Sequence, residues 1–409
     1  MRILPKAALA LASSAAILAV AAGALAAPMD PTPDRLYLQP HGLPSGVSCQ
    51  DVARNPNLVL THPGFKPGAL PNQFPCSPNN SGWANMMAEL GAAIAPSAFH
   101  PARTTGYGGF ALSLEASYTH INADNTDSNG TQYWHQGTQG NTQPNGSFGT
   151  SNQSPDSVLQ IYTLKARKGL PLGFEITGAL GMISNTTLWV GGADLHWALL
   201  EGYRTGFLGY LPDIAIGGGV RTLSGQQSFY MTTVGIDAQI SKPIALADQA
   251  VLTPYIGGQR LIEYANSAIV NLTPSVDPIA QCGYQGTNVP GNPYAPGVTG
   301  SYNGSPYPKG QFDGSPVCKN TLSNGAANNS DFNNQVTFQK QTFYRWRGIA
   351  GLAYRYEMLW LAGQFAMDLE DLGAENGNLL GGTQANPNGT FGLTGARQWT
   401  MSLEAGVFF

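Results

Sequence analysis

Repeated period-2 alternation, a charged fraction of only 11% and a last strand that ends on Phe409 predict an all-β chain. The fold expected is a transmembrane, antiparallel, up-and-down β-barrel of about ten strands, with twelve also compatible, preceded by an irregular segment that contains one short helix. The charge deficit is the first observation: 20 Lys and Arg and 24 Asp and Glu in 409 residues fall far below the roughly 25% charged residues of soluble domains. The mean hydropathy is nevertheless −0.12. After residue 26 no apolar run approaches the roughly 18 to 20 residues of a membrane-spanning helix, which excludes the helical membrane class. A net charge of −4 with no basic block argues against nucleic acid as a partner.

Residues 1–26 read as an export signal. Arg2 and Lys6 precede an apolar stretch over 7–22, and Ala24-Leu25-Ala26 supplies the small residues of a cleavage site, expected after Ala26. No Cys follows the cut, so no lipid anchor is indicated. Export suits the four cysteines, Cys49, Cys76, Cys282 and Cys318, which form no C-x-x-C pair and are expected as disulfides in an oxidising compartment. Three pairings are open in principle; proximity in sequence favours Cys49–Cys76 and Cys282–Cys318.

Residues 27–107 begin Pro-rich and irregular. Trp83, Met86, Met87, Leu90 and Ile94 then recur at helical spacing until Pro96 stops the run, predicting a short amphipathic helix. Such a stripe is first of all a packing surface, and its functional version is a plug or gate for the lumen. The segment is expected either in the periplasm or inside the barrel.

The barrel is expected over 108–409. Phe110, Leu112, Leu114, Ala116 and Tyr118 share one parity, while Ser113, Glu115, Ser117 and Thr119 share the other. Similar segments recur near 157–168, 173–184, 187–199, 214–223, 228–240, 250–264, 342–356, 359–370 and 396–409. Near 342–356, Tyr344, Trp346, Leu352, Tyr354 and Tyr356 oppose Arg345, Arg347 and Arg355. The last strand is the most specific, with Trp399, Met401, Leu403, Ala405, Val407 and Phe409 at every second position. If that strand ends in the periplasm, the long connections near 123–155, 265–338 and 371–395 all fall outside, as barrels require. The connection around 201–213 is longer than a usual periplasmic turn. The segments at 250–273 and 336–357 overrun the span, predicting a projecting hairpin that carries the Cys282–Cys318 loop.

One parity of the strands collects Glu115, Lys165, Arg167, Glu175, Asp194, His196, Arg221, Asp237, Arg345, Arg347, Asp368 and Glu404. Charge facing lipid at mid-membrane costs about 2–4 kcal/mol for Lys or Arg, so this is the lumen face. Two readings stay open: a salt-bridge network filling a narrow barrel, or a constriction that selects solutes by charge and size. In 250–264, Arg260 and Glu263 have opposite parities; a bulge at Gly257-Gly258 would reset the register.

The closing strand, from Trp399 through Leu403 and Val407 to Phe409, resembles that of Gram-negative outer-membrane β-barrel proteins, whose assembly machinery reads such a strand. Leu252-Thr253-Pro254-Tyr255-Ile256-Gly257-Gly258 is similar to a strand opening common among them. The resemblance implies an outer-membrane location, contact with membrane lipid and lipopolysaccharide, and assembly by that machinery. Asp194-Leu195-His196 resembles the Asp-x-His pair of the omptin proteases, but the second acidic pair of that family has no match here. Outer-membrane lipid hydrolases often carry His-x-Ser, and none of the six histidines has it. No catalytic residue, cofactor or metal is therefore expected. Tyr133 and Trp134, in a polar loop, could contact a glycan or lipid headgroup. The expected function is a porin-like channel for small solutes, gated by the N-terminal segment. The alternative is a non-conducting surface protein whose loops bind partners, and a hydrolase is the remote one.

Overall fold

Side chains that alternate between apolar and polar can satisfy two environments only in a sheet with chemically different faces, and closing such a sheet removes its edges. The computed structural model describes residues 27–38, 77–97, 100–140, 152–202, 211–247, 249–271, 335–371 and 393–409, with four short strand fragments between 282 and 318. Ten strands form the wall: β1 (Phe110–His120), β2 (Val158–Gly169), β3 (Phe174–Ile183), β4 (Trp189–Leu200), β5 (Asp213–Ser224), β6 (Phe229–Ser241), β7 (Ala250–Ser267), β8 (Gln341–Tyr356), β9 (Leu359–Asp368) and β10 (Trp399–Phe408). Each pairs antiparallel with its sequence neighbour, and β10 pairs with β1 to close the ring. The strand count is ten, not twelve. One extra strand, Ile244–Ala247, lies on the start of β7.

The register settles the segment left ambiguous by Arg260 and Glu263. The β7–β8 ladder runs unbroken from Ala250↔Tyr356 to Ala265↔Gln341, so the expected bulge at Gly257-Gly258 is not there. Glu263 faces inward and is fully buried. Arg260 faces outward, its guanidinium 5.3 Å from the Tyr344 ring and 5.0 Å from the Trp346 ring. Aromatic faces attract the cation, which offsets part of the cost of its outward position.

The barrel is apolar outside and polar inside. Leu361, Ile256 and Ile236 on the outer face are 57%, 63% and 58% exposed, whereas Arg345 and Glu263 on the inner face are 1% and 0%. A soluble sandwich would place these groups the other way round. The outward belt is therefore a lipid-facing surface. Among the described residues, no helix is long and apolar enough to cross a membrane.

Helix α1 (Asn80–Ile94) lies inside this ring. Its N-cap, Asn79, accepts from Gly82 N at 3.0 Å, and its end is set by Ala95, whose ψ of 147° is the extended geometry imposed by Pro96. Trp83, Met86, Met87, Leu90 and Ile94 are all buried. They pack on inward residues at the long-loop end of the strands, among them Leu159, Ile161, Ile183, Val190, Leu223, Met231 and Phe343. Trp83 stacks on Phe338 at 5.0 Å and meets Phe229 edge-on at 5.7 Å. The main apolar core is thus the interface between one helix and the upper inner wall.

Gly91 marks the closest approach of helix to wall. A Cβ there would lie 2.6 Å from Glu263 Oε2, and Glu263 cannot step aside without leaving Arg345. Gly91→Ala gains up to about 1 kcal/mol of helix propensity, yet overpacking of this kind costs about 1–3 kcal/mol. A net loss of folded stability is expected; an unchanged urea midpoint in lipid vesicles would show that the helix has room to shift.

After α1 the chain descends the lumen, held in turn by Gln259, Glu115, Ser241, Glu201 and Glu175, and turns at Gly106 and Gly108 into β1. At the long-loop end, residues 27–38 lie across the opening: Arg35 donates to Thr138 O and Gln139 O, and Asp30 accepts from Thr187 N. Between strand fragments, Cys282 and Cys318 are direct partners across a three-residue ladder. Cys49 and Cys76, and the leader over 1–26, lie outside the described residues. Beyond the ends of β7 and β8, Val270–Asn271 pairs with Gln335–Val336 and prolongs the hairpin.

Candidate functional site

The lumen carries the chemistry, because strand parity turns nearly every wall charge inward. Glu115, Lys165, Arg167, Glu175, His196, Arg221, Arg345, Arg347, Asp368 and Glu404 are all buried there, and Asp194 and Asp237 are half-buried. They sort into separate groups along the path of the N-terminal segment.

The first group flanks α1 on β7, β8 and β9. Arg345 Nε lies 2.8 Å from Glu263 Oε1 and its Nη1 2.5 Å from Asp368 Oδ2, while Arg347 Nε reaches Asp368 Oδ1 at 3.1 Å. Arg345 Nη2 also donates to Ala88 O at 2.7 Å. A helix-interior carbonyl already accepts from its own ladder, so this second bond ties the helix to the wall rather than completing the helix.

Glu89 anchors the helix to the connection that follows β1 and was not singled out in the sequence. It accepts from Tyr133 Oη at 2.7 Å, Trp134 Nε1 at 2.8 Å and Asn122 N at 3.0 Å. Tyr133 and Trp134 belong to α2 (Tyr133–Gly137), folded over the helix and fully buried. They face inward, so the expectation that they meet an external glycan or lipid is corrected. Burial, followed by the Glu89 charge, pushes the Tyr133 phenol well above its ordinary pKa and keeps it a donor. The legible signal was one carboxylate in an otherwise apolar helical run.

The second polar group lies below the helix on β1, β2 and β10. Lys165 Nζ is 2.5 Å from Glu115 Oε2 and 3.6 Å from Glu404 Oε2, and it donates to Ser97 Oγ at 3.1 Å. Ser117 and Ser97 donate to Glu115, and Ser113 donates to Glu404. Arg167 lies 3.9 Å from Glu404 and sits on the Trp360 ring at 4.3 Å.

Asp194 and His196 project to the same side but form no acid/base pair. Arg221 grips Asp194 with two bonds of 2.7 Å, the fork geometry typical of Arg and carboxylate. His196 instead meets Ala102 O at 3.2 Å, Gln239 at 3.3 Å and the His100 ring at 4.5 Å. Among the described residues, no group of three His, Cys, Asp or Glu is placed to hold a metal ion. The outward parity of β10 carries Trp399, Met401, Leu403 and Val407, ending at the exposed Phe409.

No protein-family model matches the chain, and no curated protein matches it. Solved structures similar to it include Ail, the attachment invasion locus protein of Yersinia pestis, in complex with the heparin analogue sucrose octasulfate; identity is 8%, TM-score 0.22, covering 74% of this chain and 99% of that one. An outer membrane channel from Pseudomonas putida F1 is 8% identical at TM-score 0.21, covering 77% and 99%. A double mutant of the Serratia marcescens hemophore receptor HasR, in complex with its hemophore HasA and heme, is 12% identical at TM-score 0.17, covering 73% of this chain and 41% of that one. Superposition this loose assigns no function. The closed ring of ten strands with its inverted polarity is what makes the chain a β-barrel of the outer-membrane type.

Proposed function

We propose that the protein is an exported outer-membrane channel, closed at rest by its own N-terminal segment. The observation that carries this reading is the position of α1, buried inside the ring and tied to the wall through Arg345 and to the overlying loop helix α2 through Glu89. Ten strands leave a lumen between the side-chain-filled eight-stranded barrels and the open sixteen-stranded porins, and one helix suffices to fill it. In this reading residues 1–26 are removed on export and Phe409 ends in the periplasm. Residues 27–107 then act as the plug, and the strand from Trp399 to Phe409 serves as the assembly signal. Lipid and lipopolysaccharide surround the outward belt, and a small solute passes only when the segment moves. Arg345 and Arg347, paired with Glu263 and Asp368, would line the path so opened and set its charge selectivity.

A second reading is favoured by the cover that residues 27–38 and α2 build at the long-loop end. A non-conducting surface protein would need only that outer face.

Conductance in planar bilayers separates the two. The intact protein is expected to stay closed for most of the recording, and a form lacking residues 27–106 to conduct steadily. In that open form Arg347→Ala, which removes one positive charge from the path, should shift selectivity toward cations. A folded form without the segment that carries no current would overturn the channel and leave the surface role.

A further inference from the structure

A cavity of about 430 Å³ opens at the short-turn end of the barrel, below the Lys165 group and beside the descending segment. Its volume falls within the range of small-molecule sites. The lining is unusual in sign: Arg103, Arg167 and Arg355 share it with a single carboxylate residue, Glu357. The neighbouring carboxylates already have partners, and Asp213 beside Arg103 and Glu175 at 3.9 Å from His100 leave Arg167 and Arg355 as the cations open to the cavity. Glu115 and Glu404 hold Lys165, Glu175 accepts from Thr105 N, Glu201 accepts from Thr104, and Asp213 lies 3.5 Å from Arg103.

Arg167 is the decisive group. It is 3% exposed, yet among the described residues its Nε and Nη2 find no hydrogen-bond acceptor, the nearest carboxylate oxygen lying at 3.9 Å. His100 Nδ1 is buried and likewise without an acceptor. Guanidinium donors buried without acceptors are costly, and burial is tolerable where a ligand completes them. The geometry holds the cation in place: Arg167 stands over Trp360 at 4.3 Å and over Phe408 at 5.6 Å, while Arg355 stands over the same Phe408 ring at 4.7 Å. Two like charges share one aromatic ring, an arrangement that an anion between them would relieve. The rest of the lining includes Val251, Ala353 and Pro101, which offer nothing polar from their side chains.

We infer that this cavity binds a small organic anion, a carboxylate with an apolar or aromatic body, its oxygens on Arg167 and Arg355 and its body against Trp360 and Phe408. The inference goes beyond the channel reading and does not depend on it, since the cavity is open while α1 fills the lumen above.

The test is isothermal titration of the intact, detergent-solubilised protein with benzoate and, separately, with inorganic phosphate. Benzoate is expected to bind saturably and more tightly than phosphate. Arg167→Met, which keeps the apolar stem of the side chain without its guanidinium donors, is expected to weaken benzoate binding at least about tenfold, the loss of one charge-assisted hydrogen-bond pair. Should that variant fail to fold, Arg355→Gln at the exposed rim provides the test, with weaker binding expected in a protein whose heat-modifiable gel mobility is unchanged. Absence of saturable benzoate binding to the folded protein overturns the inference. So does benzoate affinity untouched in the folded Arg variant, or phosphate binding more tightly than benzoate. No current is measured, so failure here is separable from failure of the channel.

Discussion

Arg345→Ala is expected to lower the stability of the folded barrel by about 3–5 kcal/mol, the usual cost of breaking a buried ion pair by removing one partner. The side chain is 1% exposed and lies between two carboxylates, Glu263 at 2.8 Å and Asp368 at 2.5 Å. Without it Asp368 keeps Arg347, but Glu263 is left fully buried beside Gly91, with Arg347 nearby but shared with Asp368 and no ion pair among the described residues. Ala88 O also loses its tie to the wall. Urea unfolding in lipid vesicles, followed by tryptophan fluorescence, measures the loss. Pairing Arg345→Met with Glu263→Gln should restore much of it, because the cost comes mainly from the stranded charge. A single-variant loss below about 1 kcal/mol would mean that water reaches this cluster and that it behaves as an exposed pair.

Trp83→Ala should cost a similar amount, about 3–5 kcal/mol, by a different route. Trp83 is 0% exposed, stacks on Phe338, meets Phe229 edge-on and donates from Nε1 to Gln339 O at 3.2 Å. Its truncation empties the top of the lumen, where α1 meets the wall. The strands keep their own ladders, so the loss is expected to fall on the helix. Amide exchange should accelerate over 80–94 while the strand ladders stay protected, and openings in planar bilayers should become frequent. Uniform acceleration over strands and helix together would show that α1 is an inseparable core of the barrel and not a movable segment, which favours the surface-protein reading.

Much of the wall was legible. Strand ends read at 157–168 and 173–184 fall within two residues of β2 and β3, because alternation at period 2 reports directly which residues share a face. The inward set from Glu115 to Glu404 followed, and the strand count was narrowed to ten or twelve, which the closing pair of β10 and β1 decides as ten. Where alternation was flattened, the reading stalled: in β7, Arg260 and Glu263 could not both face the lumen, and only the ladder with β8 shows that the arginine faces out among aromatic rings.

Partner choice was hidden because it depends on neighbours remote in the chain. Asp194 and His196 stand two residues apart, yet one is held by Arg221 across a strand pair and the other by a segment nearly a hundred residues earlier in the chain. Glu89, Tyr133 and Trp134 looked unrelated in sequence and meet only because α1 enters the ring beneath α2.

The sequence alone determined the class of fold, a strand count of ten or twelve, the polarity of the two faces and the presence of one short helix. Each of these depends on local periodicity, which the backbone translates into direction residue by residue. The tertiary structure alone decided that the helix fills the lumen, that its one carboxylate is gripped by a loop, and that two guanidinium nitrogens of the arginine beside Trp360 find no acceptor among the described residues. Those facts arise when the ring closes and brings ten separate strands around one segment, and no periodicity along the chain encodes which of them will touch it.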